Sequence, residues 1–361
     1  MKVVILHDWL TGFRGGERVL EALCEMYPDA PIYTLIHQKG STSPIIESRE
    51  IHTSFLNSIP GIYQNYRKFL PLMPLAASLL NIKTEADLIL SSSHCVIKGV
   101  KKPKGSRHIC YIHSPMRYIY DQFDNYFGRS KLPIKIIAHI IRPYLQWWDK
   151  RSNSNVDLFL PNSQFVNERV KKYYGNVPTK VVYPFVDLKD FYKTKDTPGD
   201  KDNYYLMVTA FAPNKRVDLA IAAFNQLGLE LKIIGSGSEE EILDLKQKSN
   251  KNIEFLGKLS RDEVISYYAR AHAFIFPGVE DFGITPLEAM ASGTRVIAFR
   301  AGGVLETLNE TTATFFNKDT KESLVDAILK NEIKRHEDLI SKASQFSKES
   351  FIKSIKKSID E

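Results

Sequence analysis

Unbroken apolar runs alternate along the chain with stretches whose apolar positions recur every three or four residues. The first run, KVVILHDW at 2–9, reads as a strand buried on both faces of a parallel sheet. LTGFRGGERVLEALCEMY (10–27) follows, a glycine turn and then helical spacing. ADLILSS (86–92), SRHICYIH (106–113) and DLFLPNS (157–163) are further strand candidates, with helical stretches between them. After KVVYPFVDLKDF (180–191) and the polar loop DTPGDKD, the alternation starts again. YYLMVTA, ELKIIG, IEFLG, HAFIFP and RVIAF read as strands, and KRVDLAIAAFNQL, RDEVISYYARA and PLEAMAS as helices. The end, HEDLISKASQFSKESFIKSIKKSID, reads as two charged helices. Strand–helix alternation on this scale predicts two consecutive α/β domains, each a doubly wound parallel sheet. The boundaries expected are 1–183 and 184–347, with a helix at 348–361 crossing back onto the first domain. Ligands in such sheets bind beyond the carboxyl ends of the strands, so the glycine turns and acids found there are the candidates for chemistry.

Composition narrows the class. At 361 residues, 43% hydrophobic and 25% charged, the chain has the make-up of an ordinary globular protein of two domains. Its net charge of +7 is unevenly shared. Residues 1–185 hold 24 Lys+Arg against 14 Asp+Glu, a net of +10, while 186–361 hold 25 against 28, a net of −3. The first half is therefore expected to face an anionic surface. The basic residues are not interleaved with aromatics as in a nucleic-acid module, so no nucleic-acid partner is expected. Cys24, Cys95 and Cys110 have neither metal nor redox spacing and suit a reducing compartment. The first apolar run is too short for a signal peptide, and no stretch reaches the roughly 18 apolar residues of a membrane span. A cytoplasmic protein is expected, held peripherally at the inner face of the cell membrane. YRKFLPLMPLAASLL (66–80) and KLPIKIIAHIIRPYLQWWDKR (131–151), which contains Trp147 and Trp148, mix basic and apolar residues as membrane-surface helices do.

EDFGITPLEAMASGTRVIA (280–298) raises the sharpest question. Thr285, Pro286 and Glu288 have the spacing of N-cap, first helical residue and N3 acid, a capping box. Glu280 is different, because it follows the strand HAFIFP where a ligand would lie. Gly283 allows close backbone approach, and a helix start there favours an anion such as phosphate. Lys215 follows the first strand of the second half and suits a diphosphate as a point charge. Gly-Ser-Gly at 235–237 lacks the third glycine of a dinucleotide fingerprint, since Glu240 stands there, which argues against NAD. Gly15 and Gly16 would let backbone N–H groups reach a diphosphate or an acceptor, and Glu17 would cap or face the cleft. His113 precedes a Ser-Pro turn at a strand end, and Arg117 would meet a phosphate. Asp200-Lys201-Asp202 has a metal-binding pattern but falls in a polar loop before a strand, so it reads as solvated loop. No metal cofactor is expected.

Taken together, PGVEDFGITPLEAMASGTRVIAFRAGG (277–303), with Glu280, Glu288, Gly302-Gly303 and Glu306, resembles the retaining glycosyltransferases of family 4, which have the GT-B fold. The resemblance runs through FLGKLSRDEVISYYARAHAFIFP, CYIHSPMRYIYDQ, LPNSQFVNERVKKYYG and VVYPFVDLKDF, and is to the bacterial O-antigen and capsule mannosyltransferase branch. It implies two domains facing across a cleft and transfer of mannose from GDP-mannose to a lipid-linked saccharide, with retention at the anomeric carbon. It further implies that Glu288 holds the ribose and that Glu280 and His113 orient the donor sugar. Lys215 would meet the diphosphate, helped by Arg216. Backbone N–H groups near Phe282, Gly283 and Ile284 would hold the sugar and the leaving diphosphate, and Gly235 would lie beside the nucleotide. The family's arginine five residues before Lys215 is replaced by Ala210, a departure from its two-cation clamp. A UDP-sugar transferase of the same fold, a nucleotide-sugar epimerase and a non-catalytic nucleotide-sugar-binding protein are the alternatives.

Overall fold

A computed structural model describes residues 1–128, 131–192, 202–331 and 336–361. The chain forms two compact units, Met1–Tyr183 with Ile352–Glu361, and Pro184–Phe351. Asp200 and Lys201 of the Asp-x-Asp pattern lie outside the described residues. Asp202 is paired with Arg270 at 2.8 Å.

The first unit is a six-stranded parallel sheet of β1 (Val3–His7), β2 (Ile32–Thr34), β3 (Ile51–Thr53), β4 (Leu88–Ser93), β5 (Arg107–Ile112) and β6 (Leu158–Pro161). Their order is β3-β2-β1-β4-β5-β6. Every residue of β1 and β4 is buried, as central strands covered on both faces must be. The second unit repeats the plan with β7 (Tyr204–Ala210), β8 (Glu230–Ser236), β9 (Ile253–Gly257), β10 (Ala273–Phe276), β11 (Val296–Phe299) and β12 (Ala313–Phe316), in the order β12-β11-β10-β7-β8-β9. Its strand residues alternate between two cores. Phe274, Phe276, Val296 and Ala298 enter one, while Ala273, Ile275 and Ile297 enter the other. In each sheet the strand order reverses once, between β1 and β4 and between β7 and β10, and those two junctions are where loops diverge and leave room for a ligand.

The short strands β2, β3 and β12, three or four residues long, carry no periodicity and are absent from the sequence pattern; β3 and β12 are sheet edges and β2 lies just inside one. The last helix, Lys348–Asp360, is divided between the units. Phe351 packs on Phe185 at 5.2 Å in the second unit, which sets that unit's limit at 351 rather than 347. Further along, the carbonyl of Ile359 accepts from Arg107 Nη1 at 2.6 Å in the first.

A buried charge network braces the first unit. Lys98, 1% exposed, lies in the turn after β4. Its ammonium is 3.0 Å from the carboxylate of the buried Asp149 and donates to the Asp149 carbonyl, Ser152 Oγ and Asn153 Oδ1. Tyr120 and Tyr174 donate their hydroxyls to the same carboxylate. Removing one partner of such a pair leaves a buried charge uncompensated. Lys98→Met is expected to destabilise the first unit by about 3–5 kcal/mol. Urea unfolding followed by tryptophan fluorescence reads this unit, because Trp9, Trp147 and Trp148 are the three tryptophans of the chain.

Candidate functional site

In the first unit, the junction of β1 and β4 is closed by Asp8. Its buried carboxylate accepts four backbone N–H bonds, from His94 (2.7 Å), Cys95 (2.9 Å), Val96 (2.8 Å) and Ile97 (2.8 Å). His94 is thereby set beside His7 and His113, with ring centroids 6.2 and 6.1 Å away. Gly16 lies over the same group, since a Cβ there would be 3.7 Å from His113 Nε2 and 3.8 Å from His7 Cε1. Gly15 and Gly16 are the first residues of the helix Gly15–Met26, so their N–H groups belong to its free first turn. Glu17 takes the capping role expected of it and also meets His7. One oxygen accepts from the Arg14 N–H at 2.9 Å, and the other faces His7 Nε2 at 3.9 Å. That is an ion-pair separation, and both His7 ring nitrogens are buried without a hydrogen-bond partner. Burial alone would push the Glu17 carboxyl up, but His7 outweighs it and brings the group down to about 2.

His113 is 2.8 Å from Ser92 Oγ through Nε2. Burial, and then the charges of His94 and His7, hold its pKa well below the ordinary histidine value, so it is neutral near pH 7. The loop that follows is clamped by Arg169, which donates to Ser114 Oγ and to Asp121 Oδ1, each at 2.6 Å. Arg117 stands half-buried in the short turn Arg117–Ile119 of that loop.

In the second unit, Lys215 and Glu280 form an ion pair. They come from the loops after β7 and β10, which are hydrogen-bonded neighbours. Three glycines allow the contact. A Cβ on Gly278 would lie 2.8 Å from Lys215 Cα and closer still to the Asn214 carbonyl. A Cβ on Gly302 would lie 2.7 Å from the Glu280 carbonyl, and one on Gly303 would overlap the Asp281 carbonyl. Gly303 also donates its N–H to the Glu280 carbonyl at 2.9 Å. The Gly302-Gly303 pair is thus the bed on which the Glu280 loop rests.

The expected capping box does not form. The helix runs Ile284–Ala291, its N-cap is Gly283 at φ 90°, and no side chain caps it. Thr285 is already helical and Glu288 lies beyond the first turn. The left-handed conformation open to glycine starts the helix two residues earlier than threonine would. Its first N–H groups lack a side-chain cap, and Glu288 is released for other contacts. It is buried, accepting from Arg261 Nη1 at 2.7 Å and from the Tyr268 hydroxyl at 3.2 Å. Arg261 also reaches Asp190 at 3.2 Å and lies over the Phe191 ring. Phe282 is a core residue, 5.7 Å from Phe346.

Other expected donor residues have partners of their own. Arg216 is, among the described residues, the one non-glycine at positive φ (52°), and its guanidinium pairs with Asp218 and Asp319. Those two acids are its partners in this structure. Gly235 is explained by packing, because a Cβ there would overlap the Thr209 carbonyl on β7. Asp8, Arg169, Arg261, Tyr268 and Gly278 are missing from the sequence reading. The one available signal was Asp8, a charge directly after the buried strand Val3–His7. Among the described residues no group of three His, Cys, Asp or Glu is placed to hold a metal ion.

The sequence matches the family described as Glycosyltransferase Family 4 over residues 13–190 and that described as Glycosyl transferases group 1 over 189–348. It is 32% identical over 190 residues to the GDP-mannose-dependent monoacylated alpha-(1-6)-phosphatidylinositol monomannoside mannosyltransferase of Corynebacterium glutamicum, covering 45% of this chain and 49% of that one. It is 29% identical over 233 residues to the O-antigen chain mannosyltransferase RfbU of Salmonella typhimurium, covering 58% and 64%. The matches therefore span about half to two thirds of these relatives. Among solved structures, sucrose-phosphate synthase from Thermosynechococcus elongatus aligns over 100% of this chain and 98% of its own, with a TM-score of 0.77 at 18% identity. Anabaena HepE, in complex with UDP and glucose, aligns over 100% and 99% with a TM-score of 0.68 at 16% identity.

Two outcomes follow from the geometry. Gly278→Ala forces the Asn214–Lys215 loop away and is expected to cost about 1–3 kcal/mol in the second unit, seen as a lowered melting temperature. The second concerns pH. His108, held by Ser91 Oγ and the Asn155 carbonyl, is pushed down by burial to about 4. An unfolded histidine takes its proton near pH 6.5, as an order-of-magnitude reference. Between these values the unfolded state binds the extra proton, so acid favours unfolding. Stability of the first unit should be flat above about pH 6.5 and fall by about 1.4 kcal/mol per pH unit for His108 towards pH 5. His113 adds in the same direction, and His108→Gln should flatten the slope in urea titrations at stepped pH.

Proposed function

The chain belongs to glycosyltransferase family 4 and has the GT-B fold, and from that premise we propose that it is a retaining mannosyltransferase. It moves mannose from GDP-mannose onto a lipid-linked saccharide in the synthesis of a cell-surface polysaccharide such as an O-antigen or capsule. The observation that carries this reading is the Lys215–Glu280 pair, set beside an uncapped helix start with the buried Glu288 in the same helix. The donor chemistry is supported by the two mannosyltransferase relatives, one of them GDP-mannose-dependent by name.

In this reading the bond between the anomeric carbon and the diphosphate breaks while positive charge develops on the sugar ring. The acceptor hydroxyl enters on the face the diphosphate leaves, and the leaving phosphate takes its proton. A double displacement would instead need a carboxylate placed as nucleophile. The task of the protein is to position the partners and to stabilise negative charge on the departing diphosphate. Lys215 does this together with the N–H groups around Phe282, Gly283 and Ile284, and the reaction needs no metal. Glu280 exchanges its partner in the process: paired with Lys215 in this structure, it turns to the sugar hydroxyls when the diphosphate takes the lysine. Glu288 holds the ribose hydroxyls, fixed in place by Arg261 and Tyr268. Neutral His113 orients the sugar, with Gly15, Gly16 and Arg117 serving the phosphate and acceptor side. A lipid-linked acceptor puts the chain at the inner face of the cell membrane, and the net +10 of residues 1–185 suits that surface.

A thermal-shift panel of GDP, UDP, ADP, GDP-mannose, UDP-glucose and UDP-N-acetylglucosamine tests the reading. GDP and GDP-mannose should stabilise the protein, by about 2.7 kcal/mol at a hundredfold excess over Kd, and Glu288→Ala should abolish the shift. A shift from the uridine compounds alone would overturn the donor assignment. No shift from any nucleotide would put the loss of the second cation at Ala210 first and favour a non-catalytic protein.

A further inference from the structure

The helix Leu132–Arg151 has three distinct flanks. One is buried, with Ile141, Leu145 and Trp148 packed on the cluster that holds Met73, Ala76 and Ala77. A second is apolar and exposed. Ile136, Ile137, Ile140, Tyr144 and Trp147 are 43–71% exposed. At about 100° per residue they fall in one sector about 100° wide. The third carries Lys135, Arg142, Gln146 and Lys150, again at helical spacing. An exposed apolar strip five side chains long, covered among the described residues only where Arg151 lies over the Trp147 ring, marks an interaction surface rather than a random exposure. The helix Met73–Leu79 packs on the same cluster and exposes Leu75 and Leu79 in turn.

The third flank opens onto a cavity of about 360 Å³, lined by Arg142, Gln146, Lys150, Lys172 and the rings of Tyr120 and Tyr173, with Asp121 at its side. The two rings are stacked at 4.2 Å, making a firm wall. Arg142 is held by its bonds to the carbonyls of Ile119 and Tyr120, at 2.8 and 3.0 Å. Asp121 is already neutralised by Arg169. Three cations therefore face the cavity, and its lone carboxylate is balanced from outside. The excess positive charge calls for an anion, and the apolar strip beside it calls for hydrocarbon.

We propose that this helix lies along an anionic lipid surface through its apolar strip, and that the cavity on its flank takes the phosphate headgroup of a lipid in that surface. An amphiphile with a phosphate head answers both features at once. A second copy of the chain would bury the strip equally well, but it would bring no anion to the cavity beside it, since it carries the same basic flank. The proposal rests on the membrane-surface part of the reading above and adds the element that docks and the chemistry it selects.

Vesicle sedimentation of the full chain tests it. Three compositions are compared: phosphatidylcholine alone, the same with phosphatidylserine, and the same with phosphatidic acid at equal surface charge. The wild type should sediment with both anionic vesicles and prefer phosphatidic acid, whose phosphate is unmasked. Ile136→Asp/Ile140→Asp, both exposed positions, should lose all vesicle binding at an unchanged melting temperature. Lys150→Gln/Lys172→Gln should lower the preference for phosphatidic acid over phosphatidylserine by at least about tenfold. Lys101→Gln/Lys104→Gln, an equal change of charge elsewhere, should leave that ratio alone. No sedimentation with any vesicle would overturn the proposal. So would a dimer in light scattering that Ile136→Asp/Ile140→Asp splits, because the strip would then be covered by a second copy. If inorganic pyrophosphate raises the melting temperature through Lys150 and Lys172 while the lipid preference is absent, the cavity serves a soluble phosphate and the headgroup claim fails. GDP stabilisation is measured alongside. Vesicle binding lost with the GDP shift intact sinks this inference alone, and the reverse sinks the nucleotide-sugar reading alone.

Discussion

A buried carboxylate with four backbone N–H groups around it governs the first unit. Asp8 ends β1, and the turn after β4 folds around its oxygens. Burying a charge without such partners would cost many kcal/mol, so the turn has few conformations open to it once β1 and β4 pair. Everything at that end of the sheet depends on this turn. It sets His94 beside His7 and His113 and carries Lys98 into the core, where Asp149 and its two tyrosines meet it. The second unit holds the corresponding loops by close backbone packing instead. There, three glycines let loop backbones pass at distances that any side chain would forbid.

The two solutions explain what could be read from the sequence. Central strands carry unbroken apolar runs, such as VVIL in β1 and LIL in β4, separated by helical spacing, so the two parallel sheets were legible. Strands of three residues at or next to the sheet edge are held by pairing with a neighbour rather than by their own pattern, so β2 and β3 were not. Glu280, Lys215, Gly16 and His113 stand at strand ends, where ligands of such sheets are found, and could be singled out for that reason. Arg261 and Tyr268 could not, because their importance comes from touching Glu288 across about twenty to thirty residues of chain. The capping box at Thr285 failed for a related reason. Thr-Pro-x-Glu describes a good helix start, but Gly283 offers a left-handed start two residues earlier, and burial of Leu287 and Glu288 fixes that register.

Substitution at Ala210 also acquires a physical setting. It ends β7 on the exposed side, next to Phe211, which is buried against Gly235 and Gly237. With Arg216 turned to Asp218 and Asp319, Lys215 is left as the cation facing Glu280 in that loop.

The pairing of Lys215 with Glu280 has a consequence for life in a crowded cell. An isolated lysine at a helix start attracts every polyphosphate within a Debye length, about 8 Å at physiological salt. A paired lysine is a dipole whose field fades much faster, so inorganic phosphate and free nucleotides are not gathered at the loop. In the donor site proposed above, occupancy would then be decided at contact, by whether the incoming molecule can replace Lys215 for Glu280 and Glu280 for Lys215 in one step. Such a site should capture its ligand slowly for a charged pocket, at a rate nearly indifferent to ionic strength, and should rarely be blocked by the abundant anions around it.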